Sequence, residues 1–341
     1  MHWLRRTILA SGSIACAVGI GVVSSASVFA GSDGVPRGGK VVASIRIPRG
    51  SGGLAVGEGA VWAMSDSAST LLRIDPKRNK VSARIKVKPN NPCPAFPQAC
   101  SEAAAGQGAI WVSHPSDNTV SRIDTQTNRV VATIPVGRHP DGIAVSPGAV
   151  WVANGGGPTV SSGGPSVSRI DPAANRVVAT IEIGPARGCC SDFMQLTVGG
   201  GSVWVGVPNL SSVVRIDPAT NAVRATIRLS VQPYGFLTAD KSAVWSAGGH
   251  SAGVVTRLDP RTNRLSGTFN GAETPIGLGL AFGSLWVADL DSKVIDRVNP
   301  HTARTIGRLR VGGYPVRLAV GFGSVWVRDD TGRVLRIRPQ R

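Results

Sequence analysis

Aromatic and charged side chains are both scarce in this chain of 341 residues: aromatics make up 5%, and Asp, Glu, Lys and Arg together 17%. So little charge excludes a coiled coil or a disordered charged tail, whereas 42% apolar residues suffice for a large core. The 43 Gly are scattered and do not recur every third residue, which excludes collagen. Beyond residue 30, no apolar run approaches the roughly 20 residues of a membrane-spanning helix. The composition therefore predicts a folded globular protein.

The first thirty residues have the pattern of a secretory signal peptide. Arg5 and Arg6 precede an apolar stretch, and Val28 and Ala30 occupy the positions that a signal peptidase reads, which predicts cleavage near Ala30. The Arg pair also resembles a twin-arginine signal, although the usual Ser or Thr before it is absent. The predicted divisions of the chain are a signal peptide at 1–30, a short linker at 31–40 and a single domain at 41–341. We expect a secreted, periplasmic or cell-envelope protein.

Seven of the eight Trp recur in one phrase, Val-Trp-Val or a close relative. They are Trp62, Trp111, Trp151, Trp204, Trp245, Trp286 and Trp326. Downstream of each comes Arg-Ile-Asp-Pro or a degraded form, and every repeat contains four short segments rich in Val, Ile and Thr and bounded by turn residues. A period near 40 residues with strand patterns is typical of a β-propeller. The predicted fold is all-β: a seven-bladed β-propeller of four-stranded blades.

The two ends of the chain predict how the ring closes. The last repeat stops after its third strand, at 334–338, and residues 41–47 look like a fourth strand without a blade. We therefore expect the N-terminal strand to complete the last blade. One Trp in every blade favours packing between blades over a ligand cage.

The repeat units resemble those of the YVTN or YncE-like family of secreted seven-bladed β-propellers. The resemblance rests on Trp-Val-Ala-Asn at 151–154, Ser-Arg-Ile-Asp-Pro at 168–172 and Asn-Arg-Val-Val-Ala-Thr-Ile at 175–181, and it covers roughly residues 41–341. It implies an exported propeller with a binding role. It does not imply one particular activity, because a fold alone does not determine function.

A ligand site is expected at the mouth of the central channel. The relevant face carries the loops from strand four into the next strand one and from strand two to strand three, and these loops depart most from the repeat. The side chains predicted to converge there are His139, Arg187, Tyr234, Glu273, Tyr314 and Arg317. The first functional hypothesis is a non-enzymatic scaffold that binds a protein, a glycan or a small anionic ligand there and needs no cofactor.

The second hypothesis is a carbon–oxygen lyase or hydrolase that acts on a lactone or ester. It follows from a partial resemblance to virginiamycin B lyase-type propellers, which implies a His and Glu site assisted by magnesium. His139 is the only His, and Glu273 the only Glu, that we place at the start of a first strand, and their blades are not adjacent. A dehydrogenase that uses Cys189 and Cys190 has the least support.

Four of the five Cys lie in two of the loops on the mouth face. They are Cys93, Cys100, Cys189 and Cys190. An even count in an exported protein predicts disulfides, and four Cys allow three pairings. We favour Cys93 with Cys100, which leaves a strained bond between the two adjacent Cys, and cross-links between the loops are the alternative. The spacing does not favour a metal site.

Basic residues exceed acidic ones, 37 against 20, which gives a formal charge of +17. Much of the excess recurs at one position of the repeat, two residues before the Asp: Arg73, Arg122, Arg169, Arg215, Arg257, Arg297 and Arg336. Charges that recur in every blade surround the ring and do not form one patch, so we predict no nucleic-acid partner. A cationic exterior is suited to contact with cell-wall polyanions. We expect a monomer.

Overall fold

The computed structural model describes residues 38–50, 52–89, 101–155, 163–185, 194–248 and 253–340. The predicted signal peptide, the four loop Cys and Arg187 lie outside these residues, so the predictions about them stay untested. The described residues all belong to a compact unit that spans Val35–Arg341. Within them, no helix is long and apolar enough to cross a membrane.

The described residues form 28 strands in seven antiparallel sheets of four, which confirms the predicted propeller. Blades 1 to 4 contain β2 (Leu54–Gly57), β3 (Ala60–Ser65), β4 (Thr70–Asp75), β5 (Lys80–Lys86); β6 (Ala103–Gly106), β7 (Ala109–His114), β8 (Thr119–Asp124), β9 (Arg129–Pro135); β10 (Pro140–Ser146), β11 (Ala149–Asn154), β12 (Ser166–Asp171), β13 (Arg176–Glu182); β14 (Leu196–Gly199), β15 (Ser202–Val207), β16 (Ser212–Asp217) and β17 (Ala222–Arg228). Blades 5 to 7 contain β18 (Leu237–Ala239), β19 (Val244–Ala247), β20 (Val255–Asp259), β21 (Arg264–Phe269); β22 (Pro275–Ala281), β23 (Ser284–Asp289), β24 (Val294–Asn299), β25 (Arg304–Arg310); β26 (Pro315–Gly321), β27 (Ser324–Asp329), β28 (Arg333–Pro339) and β1 (Gly39–Arg46). A short 3₁₀ helix, Pro208–Leu210, follows β15.

The first described strand closes the ring. β1 pairs antiparallel with β28, from Gly39 opposite Pro339 to Arg46 opposite Arg333. The last blade therefore takes three strands from the C-terminal repeat and its outermost strand from the N-terminal side, as the sequence predicts. The strand begins at Gly39, two residues before its predicted start.

The turn between the third and fourth strands is built by its Asp and Asn. In blade 4, Asp217 Oδ1 accepts the N–H of Ala219 at 2.8 Å and that of Thr220 at 3.3 Å. Asn221 ends the turn with a φ of 57°, a left-handed value that Asn tolerates better than most residues. These contacts of Asp217 and Asn221 fix the outer hairpin of the blade.

The seven repeat Trp form the buried layer between blades. All seven are fully buried, and Trp151, for example, belongs to one hydrophobic cluster with Val203 and Val205 of the next blade. An Arg of the third strand lies over each ring, with 5.1 to 5.8 Å between its Cζ and the ring centroid. This cation–π contact explains why Arg recurs at that position and agrees with a packing role for the Trp.

The same Arg residues connect neighbouring blades. Arg122 Nη1 donates to Asn175 Oδ1 of the next blade at 2.8 Å. Equivalent Arg-to-Asn bonds leave blades 1, 3, 4 and 7. Blade 5 differs because blade 6 carries Ala303 where the Asn would be, and Arg257 Nη1 instead donates to Ser266 Oγ within its own blade at 3.1 Å.

We expect Ala303→Asn to raise the free energy of unfolding by about 1 kcal/mol. Ala303 has a φ of 53°, which suits Asn better than Ala, and the new amide would give Arg257 the acceptor that it lacks in blade 6. Urea unfolding measures the change. Ala303→Gly is the control, since it relieves the backbone without adding an acceptor; a gain as large as that of Asn would show that the hydrogen bond contributes nothing.

Candidate functional site at the channel mouth

The first strands of the seven blades line the central channel, and one residue in or just before each of these strands contributes to its mouth. In every first strand, the residue paired with the repeat Trp is Ala, Thr or Gly. The positions two residues before it are Gly53, Glu102, Gly142, Gln195, Phe236, Gly277 and Arg317. We call these seven residues the mouth ring. Three are Gly and four carry large side chains.

Backbone hydrogen bonds between blades hold the mouth ring together. Gly53 N–H donates to Ser101 O at 2.7 Å, and Gly142 N–H donates to Met194 O at 2.9 Å. A Cβ added to Gly53 would lie 2.3 Å from the backbone nitrogen of Ala103, so the close approach of the next blade requires glycine there. The ring is a rigid frame for the side chains at its other positions.

Arg317 of blade 7 reaches Glu102 of blade 2, past blade 1. Its Nε donates to Glu102 Oε1 at 2.8 Å, and its Nη2 lies 2.5 Å from the same oxygen. Its Cζ also lies 4.5 Å from the ring centroid of Phe236 in blade 5. Both charged side chains are buried, with 4% of Arg317 and 7% of Glu102 exposed. One guanidinium thus joins three blades at the mouth.

Asp66, directly after β3, adds a second carboxylate to this group. Its side chain is buried, and neither carboxylate oxygen has a hydrogen-bond partner among the described residues. Burial raises the pKa of Asp66 to about 7, helped by the charge of Glu102 and opposed by the nearby Ser101 hydroxyl, Arg328 and Arg317. Ser101 Oγ lowers this pKa although it does not meet the geometry of a hydrogen bond. Burial therefore favours the protonated form of this carboxyl.

Arg328 on β27 is the second buried cation at the mouth. Its Nη1 donates to Gly52 O at 3.1 Å and to Met64 O, and its Nη2 donates to Gly50 O at 2.6 Å. Burial and the charge of Arg317 lower the pKa of Arg328 to about 10, so it stays charged at neutral pH. Asp66, Glu102, Arg317 and Arg328 are together called the mouth cluster.

A His–Asp pair lies at the start of β10, one blade from Glu102. His139 Nδ1 is 3.0 Å from Asp141 Oδ1, and Asp141 Oδ2 accepts the N–H of Met194 at 3.2 Å. Asp141 is fully buried, whereas 31% of the His139 side chain is exposed. Burial acts to lower the pKa of His139, but the hydrogen bond and charge of Asp141 outweigh it and raise that pKa. Burial also raises the pKa of Asp141. A His held through Nδ1 keeps Nε2 for proton exchange, as a general base requires.

Two of the other predicted site residues contact neighbours on the same face. Glu273 is exposed, and its Oε2 accepts a hydrogen bond from Ser292 Oγ at 3.1 Å. Tyr314 is 39% exposed, and Lys293 Nζ lies 4.3 Å from the centroid of its ring. Tyr234 is half-buried, two residues before the mouth ring in blade 5. Of the predicted residues that the structure describes, Arg317 alone belongs to the mouth cluster.

The prediction that Glu273 is the only Glu at the start of a first strand is wrong, because Glu102 also lies at such a position. It immediately precedes β6, and its blade adjoins that of His139. A comparison of the repeats position by position could have found it, because the mouth-ring position is Gly in three blades. The residue two places after the Trp is likewise small or Met in six blades but Arg328 in the seventh. Asp66 carries no such sequence signal.

The acids at the mouth do not fit a magnesium site. Asp66 and Glu102 share the mouth cluster with two guanidinium groups, and Asp141 is occupied by His139 and a backbone N–H. In the part of the chain that the structure describes, no group of three or more His, Cys, Asp or Glu could hold a metal ion. The magnesium implied by the lyase hypothesis therefore has no matching set of oxygen ligands among these residues.

Solved structures share this fold at low sequence identity. Hydrazine synthase of Kuenenia stuttgartiensis is 13% identical, with a TM-score of 0.69 over 86% of this chain and 96% of that chain. A catalytically inactive variant of Staphylococcus aureus virginiamycin B lyase with quinupristin is 14% identical, with a TM-score of 0.66 over 86% and 96%. BamB of Moraxella catarrhalis is 16% identical, with a TM-score of 0.57 over 85% and 83%.

No protein-family model and no curated protein sequence matches this chain. Identities this low establish the fold alone. The structural neighbours include virginiamycin B lyase-like propellers, and membership of the YVTN or YncE-like family stays a prediction.

Proposed function

We propose that the protein is an exported propeller that binds a small polar ligand at the channel mouth and does not transform it. The observation that carries this proposal is Asp66, a buried carboxylate without a hydrogen-bond partner in the described part of the chain. A buried polar group left unpaired costs roughly 1 to 3 kcal/mol, and more if it is charged. A ligand that donates a hydrogen bond to this carboxylate would recover that free energy.

Gln195 supports a ligand that offers both donors and acceptors. It is a buried member of the mouth ring, and its Nε2 also lacks a hydrogen-bond partner among the residues described. Arg317 and Arg328, in contrast, are already bound by Glu102 and backbone carbonyls. Of the ligand classes predicted from the sequence, these contacts favour a neutral molecule with several hydroxyl groups, such as a glycan, over a small anion.

Titration with neutral mono- and oligosaccharides, followed by calorimetry, tests this proposal. We expect Asp66→Asn and Gln195→Ala to weaken binding about tenfold each, since Asn replaces one carboxylate acceptor with an NH2 donor and Ala removes the amide. Asp117→Asn is the control, because Asp117 is exposed on the same face and, among the described residues, forms an ion pair with Lys88 alone. Equal affinity in all variants, or no binding by the unaltered protein, would contradict the proposal.

The His139–Asp141 pair favours a second candidate, a carbon–oxygen lyase or hydrolase of lactones or esters. In the lyase reaction, His139 Nε2 would accept a proton from carbon while the neighbouring C–O bond breaks and its electrons leave on the carboxylate oxygen. Virginiamycin B lyase, whose inactive variant was solved with quinupristin, shares this fold. Asp141 would position the imidazole and stabilise its protonated form.

Incubation with quinupristin and mass spectrometry separate the two candidates. A lyase yields an opened ring of unchanged mass, whereas a hydrolase adds one water. His139→Ala should abolish either product, and His301→Ala, an exposed residue of the turn after β24, should not. A product with this dependence would replace the binding proposal, and the complete absence of product would eliminate the catalytic candidate for this substrate class.

A further inference from the structure

The β4–β5 hairpin of blade 1 concentrates positive charge at the outer edge of the ring. Its segment 77–88 contains six cations and no acid, whereas the corresponding segments of the next five blades hold one to three cations. All six side chains are exposed: Lys77, Arg78, Lys80, Arg84, Lys86 and Lys88. This hairpin therefore departs from the even distribution of the repeated Arg.

Little of this charge is neutralised nearby. Arg78 Nη1 lies 3.6 Å from Asp75 Oδ2, and Lys88 Nζ lies 3.2 Å from Asp117 Oδ2. The other four cations form no ion pair with the described residues. Exposed pairs contribute little free energy and exchange readily with other partners, so the hairpin presents an excess of positive charge to solvent.

The cations are arranged in a row. Arg84, Lys86 and Lys88 alternate with Ile85 and Val87, which are buried in the hydrophobic cluster shared with blade 2. Alternation along an extended strand places every second side chain on one face, about 6.6 Å apart. The buried pair thus fixes the backbone while the cations point outward from the edge strand of the sheet.

Blade 7 extends this basic edge, whereas blade 3 does not. The outermost strand of blade 7, β1, exposes Lys40 and Arg46 and contains no acid. The outermost strand of blade 3, β13, carries Arg176 and Glu182, which cancel in charge. The positive charge of the outer strands is therefore highest at blade 1 and continues into its neighbour, blade 7.

We propose that the β4–β5 hairpin binds a linear, phosphate-containing polyanion of the cell envelope. A row of cations with regular spacing matches a chain of regularly spaced anions, and the binding would weaken with salt. Within 77–88 no large apolar side chain is exposed, so the hairpin lacks the apolar anchor that peripheral membrane binding adds to charge. This surface is separate from the channel mouth and does not depend on a ligand there.

Calorimetry with linear inorganic polyphosphate at low salt tests the proposal on the whole protein. In the hairpin variant, Lys80, Arg84 and Lys86 are all changed to Gln. The control variant changes Arg176, Arg228 and Arg264 to Gln, which removes the same charge from exposed outer-strand positions on blades 3, 4 and 5. We expect about tenfold weaker binding and a shallower salt dependence for the hairpin variant, and less than a threefold loss for the control.

Three results would overturn the proposal. Equal losses in both triple variants would show that net charge, and not this hairpin, attracts the polymer. Failure of the unaltered protein to bind polyphosphate at low salt would exclude the polymer as a ligand. Tighter binding to vesicles of anionic lipid than to polyphosphate, lost in the hairpin variant, would assign the surface to a membrane instead. Unfolding curves of both variants verify that they remain folded.

Discussion

Asp66→Asn should stabilise the folded protein by roughly 2 to 4 kcal/mol at pH 8, because each unit between folded and unfolded pKa values is worth about 1.4 kcal/mol. The pKa of Asp66 is about 7 in the folded protein, against an ordinary value of 3.8. Between these values the folded state binds more protons than the unfolded state, so the contribution of Asp66 to stability falls as the pH rises from about 4 to 7. Asn cannot ionise and avoids this loss.

Urea unfolding at several pH values measures the effect. The gain in the free energy of unfolding should be largest above pH 7 and vanish below about pH 4. Glu102, Arg317 and Arg328 are present in both proteins, so the comparison isolates Asp66. Asp289→Asn is the matched control, because Asp289 is also buried but accepts the N–H groups of Glu273 and Thr274. This variant should be less stable than the unaltered protein. A gain that does not depend on pH would show that the ionisation of Asp66 is not its cause.

Arg317→Ala should cost about 3 to 5 kcal/mol of stability, because it leaves Glu102 buried without its counter-charge. The loss should be much larger than for an exposed ion pair, such as the one removed by Arg224→Ala, whose partner is Asp217. Chemical unfolding at pH 7 gives both values.

A double-mutant cycle shows whether the loss comes from the unpaired charge. Arg317→Met combined with Glu102→Gln removes both charges and keeps most of the side-chain volume, so it should recover most of the stability that Arg317→Met alone loses. If the stability change of the double variant equals the sum of the changes in the two single variants, the result contradicts the direct coupling indicated by the 2.8 Å hydrogen bond.

The sequence predicts the fold because the same physical signals recur in every blade. The buried Trp, the Arg over its ring and the Asp-Pro turn each appear in most repeats, so the degraded last repeat is still recognisable. The closure by β1 can be predicted because the last repeat lacks its fourth strand and the N-terminal side has one strand without a blade. These signals are local or periodic, and a single sequence contains them in full.

The mouth cluster could not be predicted in the same way. It depends on residues that interrupt the repeat, and Arg317 and Glu102 meet although 215 positions separate them in the chain. That contact is visible only once the register of every first strand is known. The role of Asp66 is even harder to predict from the sequence. It depends on the burial of the carboxylate and on a missing hydrogen bond, which are properties of the folded protein.

The pairing of β1 with β28 also sets the order in which the protein can be completed. β1 is the first described strand to be synthesised and β28 the last, so the sheet that they share cannot form until nearly the whole chain is available. Until then neither edge of β1 is paired, and the six blades already made lack the last blade that would join the first to the sixth. Folding therefore depends on contacts between the most distant parts of the chain, which predicts slow ring closure and a chain that proteases attack easily before its final strand arrives.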